Sequence, residues 1–195
     1  MKKLVVIAAT CALFGSATAA LAAGDAAAGK AKSATCAACH NADGNSANPQ
    51  YPKLAGQGEG YLLKQLQDYK SGARVNAIMA GMVAPLSPQD MEDLSAYYAS
   101  QQIARGAADP ALAPVGEAIF RGGNLNSGVS ACMACHGPNG AGIPAAKFPA
   151  IAAQHAEYTE LQLKAFRAME RANDAGQMMR SIASKMTDAE IKAVS

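Results

Sequence analysis

The chain is 195 residues long and 50% hydrophobic by count, with six tyrosines, four phenylalanines and no tryptophan. That inventory fits one or two small domains and excludes a multi-span membrane protein or a disordered chain. The formal charge of +2 rests on Lys2 and Lys3, so residues 23–195 carry no net charge. Without a basic run or a basic amphipathic stretch, nothing here points to nucleic acid or to a strongly anionic surface. Small domains with few large side chains bury little apolar area, so something other than side chains is expected in the core.

In chain order, Lys2 and Lys3 precede an apolar run from Leu4 to Phe14, and small residues follow to Ala20-Leu21-Ala22. A charged start, a short apolar stretch and an Ala-x-Ala site predict a signal peptide over residues 1–22. Its removal takes Cys11 with it and leaves Cys36, Cys39, Cys132 and Cys135. The spacing predicts helix over 25–38. A second helix over 59–71 places Leu62, Leu66 and Tyr69 on one face and ends at Gly72. A third opens on Ser87 as cap, with Pro88 where a missing N–H costs nothing, and lines up Met91, Leu94 and Tyr98. The stretch 101–114 contains Gly106, Pro110 and Pro114 and reads as the join between two halves.

Beyond it the chain repeats itself. Cys36-Ala37-Ala38-Cys39-His40 recurs as Cys132-Met133-Ala134-Cys135-His136, and Tyr51-Pro52-Lys53-Leu54-Ala55-Gly56-Gln57 as Phe148-Pro149-Ala150-Ile151-Ala152-Ala153-Gln154. Tyr61, Leu66 and Tyr69 match Tyr158, Leu163 and Phe166, and Ser87 matches Thr187, which forms a capping-box pattern with Glu190. No segment alternates with period two. The fold class is therefore all-α, two copies of one domain, over 23–104 and 115–195 with 105–114 as linker. The second copy stops at Ser195, about six residues short of the first, and its last helix reads as truncated.

Cys-x-x-Cys-His admits three chemistries. A redox dithiol gives the His no role, and zinc needs two further ligands per half. Covalent haem attachment uses all three residues: Cys36, Cys39, Cys132 and Cys135 bond the porphyrin, while His40 and His136 reach the iron. Two haem c groups are expected. For the sixth iron position the repeat acts as a filter. With Ser87 and Thr187 aligned, only Met79 and Met179 are methionine in both copies, and Met82 and Met178 are the fallback ligands. Pro52 and Pro149 are candidates to accept from the imidazole Nδ1–H and so orient the ring. His155 pairs with Gly58 in the repeat and reads as a hydrogen-bonded or surface histidine. Tyr51, Tyr61, Tyr158 and Phe148 read as core or haem-packing residues.

These motifs, with Pro52-Lys53-Leu54-Ala55-Gly56-Gln57-Gly58, Tyr61-Leu62-Leu63-Lys64-Gln65-Leu66 and Phe120-Arg121-Gly122-Gly123, resemble the dihaem cytochromes c4. The resemblance implies two class I cytochrome c domains related by an approximate twofold, with haem propionate edges facing. It also implies a periplasmic, non-enzymatic carrier of single electrons, exchanging them with redox proteins such as a bc1-type complex or a terminal oxidase, with at most loose membrane association through those partners. The family's iron ligands fall on His40, Met79, His136 and Met179. Two alternatives stand beside it: a c4-like subunit of a flavoprotein dehydrogenase, and a dihaem peroxidase with an exchangeable iron site.

Overall fold

The computed structural model describes residues 24–195, and the expected signal peptide lies outside the described residues. Asp25 caps α1 (Ala26–Lys32) by accepting from the backbone N–H groups of Ala27 and Ala28. The single helix expected over 25–38 is in fact two. Ser33, buried, turns its hydroxyl back onto the Lys30 carbonyl at 2.9 Å and hands the chain to α2 (Ala34–His40). A hydroxyl that competes for helix carbonyls is a local reason for such a break. Helix α3 (Glu59–Ser71) has the predicted bounds, and Gly72 closes it in the left-handed region at φ 81°. Asn76 caps α4 (Ala77–Val83), and Ser87 with Asp90 forms a capping box on α5 (Pro88–Ala99).

α1 lies across α5, and at Gly29 the two backbones come into direct contact. A Cβ on Gly29 would stand 2.0 Å from the Asp93 carbonyl oxygen, so only glycine lets the two backbones meet. Around that crossing, Lys32 pairs with Asp90 and Asp93, and the Asp25 N–H donates to Asp93. The apolar cluster beneath is small: Leu62, Tyr97 and Tyr98, with Cys36 and Leu54 against them.

The second half repeats this plan with two differences. Its first helix, α6 (Ala113–Gly122), starts within the stretch expected to be linker, because Pro114 sits in the first turn, where its missing N–H is harmless. Gly116 there meets the Ala193 carbonyl as Gly29 meets Asp93, with a Cβ-to-oxygen distance of 2.0 Å. Between α6 and α7 (Met133–His136) the chain makes an added loop closed by an antiparallel bridge, Asn124 to Val129. α8 (Ala156–Arg167), α9 (Met178–Ala183) and α10 (Asp188–Val194) follow, the last opened by the Thr187–Glu190 capping box. Ile119, Val129, Met186 and Ile191 form the core, backed by Leu163, Ile182 and Val194. Among the described residues there are isolated bridges but no strands, and no helix is long and apolar enough to cross a membrane.

The halves meet through their loops and through α3 and α8. His155, at the start of α8, donates from Nε2 to the backbone and hydroxyl oxygens of Ser46, each at 2.9 Å. Of the two readings left by the repeat, hydrogen-bonded or surface, the first holds, and the contact lies between the domains.

Candidate haem sites

The last turns of α2 present Cys36, Cys39 and His40. The single turn of α7, with Cys132 as its N-cap residue, presents Cys132, Cys135 and His136. The thiols are half-buried and the histidines buried in both. Sulfurs three residues apart share one face of a helix, and the His follows directly. Burial pushes the Cys36 and Cys132 thiols above the usual thiol range, so neither is an activated thiolate. Among the described residues no cluster of three or more His, Cys, Asp or Glu side chains is arranged to hold a bare metal ion.

The imidazoles are oriented the same way in both halves. His40 Nδ1 lies 2.9 Å from the Pro52 carbonyl oxygen, and His136 Nδ1 lies 2.8 Å from that of Pro149. A carbonyl only accepts, so Nδ1 carries the proton and Nε2 keeps its lone pair. Burial lowers both imidazole pKa values, opposed in part by the carbonyl. Both rings are therefore neutral donors, the form a metal requires. The Tyr51 ring stands edge-on to His40 at 6.3 Å between centroids.

Met79 lies in the first turn of α4 and Met179 near the start of α9, both half-buried. The other methionines divide plainly. Met91 and Met186 are core residues at 4% exposure, Met178 is 41% exposed and Met169 56%. Met82 is half-buried on α4, one turn beyond Met79.

Two arginines not singled out from the sequence add a further observation. Arg74 and Arg171 are buried at 7% and 8% exposure between the halves. Arg74 donates to Gln65, Gln162 and the Tyr158 hydroxyl at 2.8–2.9 Å. Arg171 donates to the same two glutamines, to Tyr61 and to Asn173 at 2.8–3.1 Å. All of these acceptors are neutral, whereas buried charge calls for an opposite charge. The residues thus fit a group that bonds two thiols, takes an imidazole lone pair and brings carboxylates towards the domain interface. Haem c is such a group. Gln65, Arg74 and Tyr61 each recur 97 positions later as Gln162, Arg171 and Tyr158, and that shared offset was the sequence signal for them.

Comparison with known proteins agrees. The family model described as cytochrome c matches twice, over residues 26–102 and 116–195. Cytochrome c4 of Pseudomonas aeruginosa is 53% identical over 175 residues, covering 89% of this chain and 87% of that one. The chain belongs to the dihaem cytochrome c4 family. The crystal structure of reduced recombinant cytochrome c4 from Pseudomonas stutzeri superposes with a TM-score of 0.86 at 52% identity, over 88% of this chain and 96% of that one. A protein of Thiomonas intermedia named as a thiosulfate dehydrogenase electron acceptor is 40% identical, over 84% of this chain and 76% of its own. This cytochrome c4 family member is thus an electron-transfer protein rather than an enzyme, with two covalently bound haem c groups matched to its two Cys-x-x-Cys-His motifs.

Proposed function

We propose that this dihaem cytochrome shuttles single electrons between periplasmic redox proteins, with His40 and Met79 as the residues that would hold the iron in the first domain and His136 and Met179 those in the second. The observation that carries it is the duplicated arrangement of a half-buried thiol pair beside a buried, neutral histidine whose Nδ1–H is held by a proline carbonyl. When bound, each haem supplies an iron that gains or loses one electron without making a bond to a substrate. The chain's residues do the rest. The thioether cysteines prevent cofactor loss. The Pro52 and Pro149 carbonyls fix each imidazole's tautomer and raise its basicity. Arg74 and Arg171 offset negative charge at the interface. Met ligation sets each potential above that of a bis-His site.

The leader-like segment at 1–22 supports export to the periplasm. The family supports a place between a bc1-type complex and a terminal oxidase. The 40% identity to a thiosulfate dehydrogenase acceptor favours a second reading, in which a sulfur-compound dehydrogenase is the donor.

Met79→His tests the ligand set. One potential should fall markedly and the other stay nearly fixed, as read by spectroelectrochemical titration. If neither potential moves, Met79 is not a ligand.

A further inference from the structure

Two glutamines tie each domain to the backbone beneath the other domain's histidine. Gln154 accepts from the Lys53 N–H at 2.8 Å through Oε1 and donates to the Lys53 carbonyl at 3.0 Å through Nε2. Gln57 does the same to Ala150, with both contacts at 2.8 Å. Gln57 and Gln154 are repeat mates, as are Pro52 and Pro149, so the clasp is reciprocal.

The clasped N–H groups are not arbitrary ones. The Lys53 N–H and the Pro52 carbonyl belong to one peptide group, and so do the Ala150 N–H and the Pro149 carbonyl. One continuous chain therefore runs from His40 Nδ1–H to the Pro52 carbonyl, through that peptide, and from the Lys53 N–H to Gln154 of the other domain. Its twin runs from His136 through the Pro149–Ala150 peptide to Gln57. An amide whose N–H is engaged is more polarised and its carbonyl accepts more strongly, by roughly 10–30% per linked bond.

We infer that Gln57 and Gln154 are positioning residues that tune, each across the interface, the imidazole of the opposite domain. This rests on His40 and His136 being iron ligands. A stronger carbonyl acceptor draws the Nδ1 proton, makes the imidazole a better donor and favours ferric iron. Each clasp therefore lowers the potential of the haem in the other domain. Docking of the domains becomes part of the redox setting of both.

The test is a redox titration of the holoprotein in which each haem is followed separately by its NMR resonances. Gln154→Met removes the amide at nearly constant volume. It should raise the first domain's potential by a two- to threefold change in its equilibrium constant, about 20–30 mV at 59 mV per tenfold, and move the second domain's less. Gln57→Met should do the mirror image. Ser46→Ala, which alters a contact across the same interface without touching either peptide, should produce no crossed shift.

Should Gln154→Met loosen the domains, Gln154→Glu keeps an oxygen for the Lys53 N–H, and its carboxylate accepts more strongly. It should shift the first domain's potential downward. Opposite signs for Met and Glu support the inference. A larger shift of the mutated domain's own haem than of the other, equal shifts of both, or no shift in a folded holoprotein overturns it. His40→Met separates the two levels. If it leaves the first domain's spectrum unaltered, the ligand assignment has failed; if the spectrum changes and the glutamine variants remain silent, only the clasp has failed.

Discussion

Replacing Gly29 with alanine is the sharpest perturbation of the scaffold. The new Cβ would lie 2.0 Å from the Asp93 carbonyl oxygen, 2.5 Å from its carbon and 2.8 Å from the Tyr97 Cβ. Ordinary contacts begin near 3.4 Å, so α1 and α5 must part by more than 1 Å. Backbone, unlike a side-chain tip, has no rotamer by which to yield. The separation also stretches the Lys32 pair to Asp93, now 2.6 Å, and the Asp25 N–H bond, now 2.9 Å. Overpacking of this kind costs about 3 kcal/mol. For a domain of this size that lowers the melting temperature by roughly 10–20 °C. The assay is a thermal melt of the holoprotein by far-ultraviolet circular dichroism, with Gly81→Ala as the control. Gly81 lies within α4 with nothing inside 4 Å of its would-be Cβ, so alanine there should be neutral or stabilising by up to ~1 kcal/mol. A Gly29→Ala protein that melts with the wild type would refute the crossing argument, and the same comparison applies to Gly116→Ala.

Acid should weaken the first domain through the same crossing. Lys32, together with the Asp25 N–H and Gln89, holds the Asp93 carboxyl down at about 2 against an ordinary 3.8. The folded value is the lower one, so this stabilisation is complete above about pH 4 and lost as pH falls towards 2. Urea midpoints measured across that window should fall less steeply in Asp93→Asn than in the wild type. Arg74→Gln strands the hydrogen-bond partners of a buried guanidinium, which should cost about 1–3 kcal/mol in urea unfolding. Loss of the positive charge should also lower a reduction potential, and an unchanged potential would remove Arg74 from the haem's surroundings. Thr187→Ala should cost the second domain about 1 kcal/mol by removing the α10 cap, seen as a lower melting temperature. A chain with all four motif cysteines changed to serine, made without haem, should show no cooperative melt, because the buried apolar clusters are small.

Local chemistry was what the sequence carried best. Gly72 stops α3, Ser87 and Thr187 start the helices they cap, and Cys-x-x-Cys-His marks both haem motifs, because each signal acts within a few residues. The break at Ser33 is local too, but a serine inside an alanine-rich run gives little warning of it. Pro114 misled, since a proline is equally at home in a linker and in a helix's first turn, and only the packing of α6 decides. The glycine crossings, the Arg74–Arg171 pair and the glutamine clasps are set by how distant segments dock. For the arginine and glutamine groups the sequence held just a trace, recurrence 97 positions apart, and the added loop at 124–129 interrupts even that register for Gly29 and Gly116.

If His40, Met79, His136 and Met179 hold the two irons, neither haem leaves a position open to a gas and both can only pass electrons. Reductive titration of the purified holoprotein under carbon monoxide tests this most directly. The expected result is uptake of two electrons per chain, in one-electron steps, with neither reduced haem binding the gas. Uptake of one electron, or a carbon monoxide adduct at neutral pH, would contradict it.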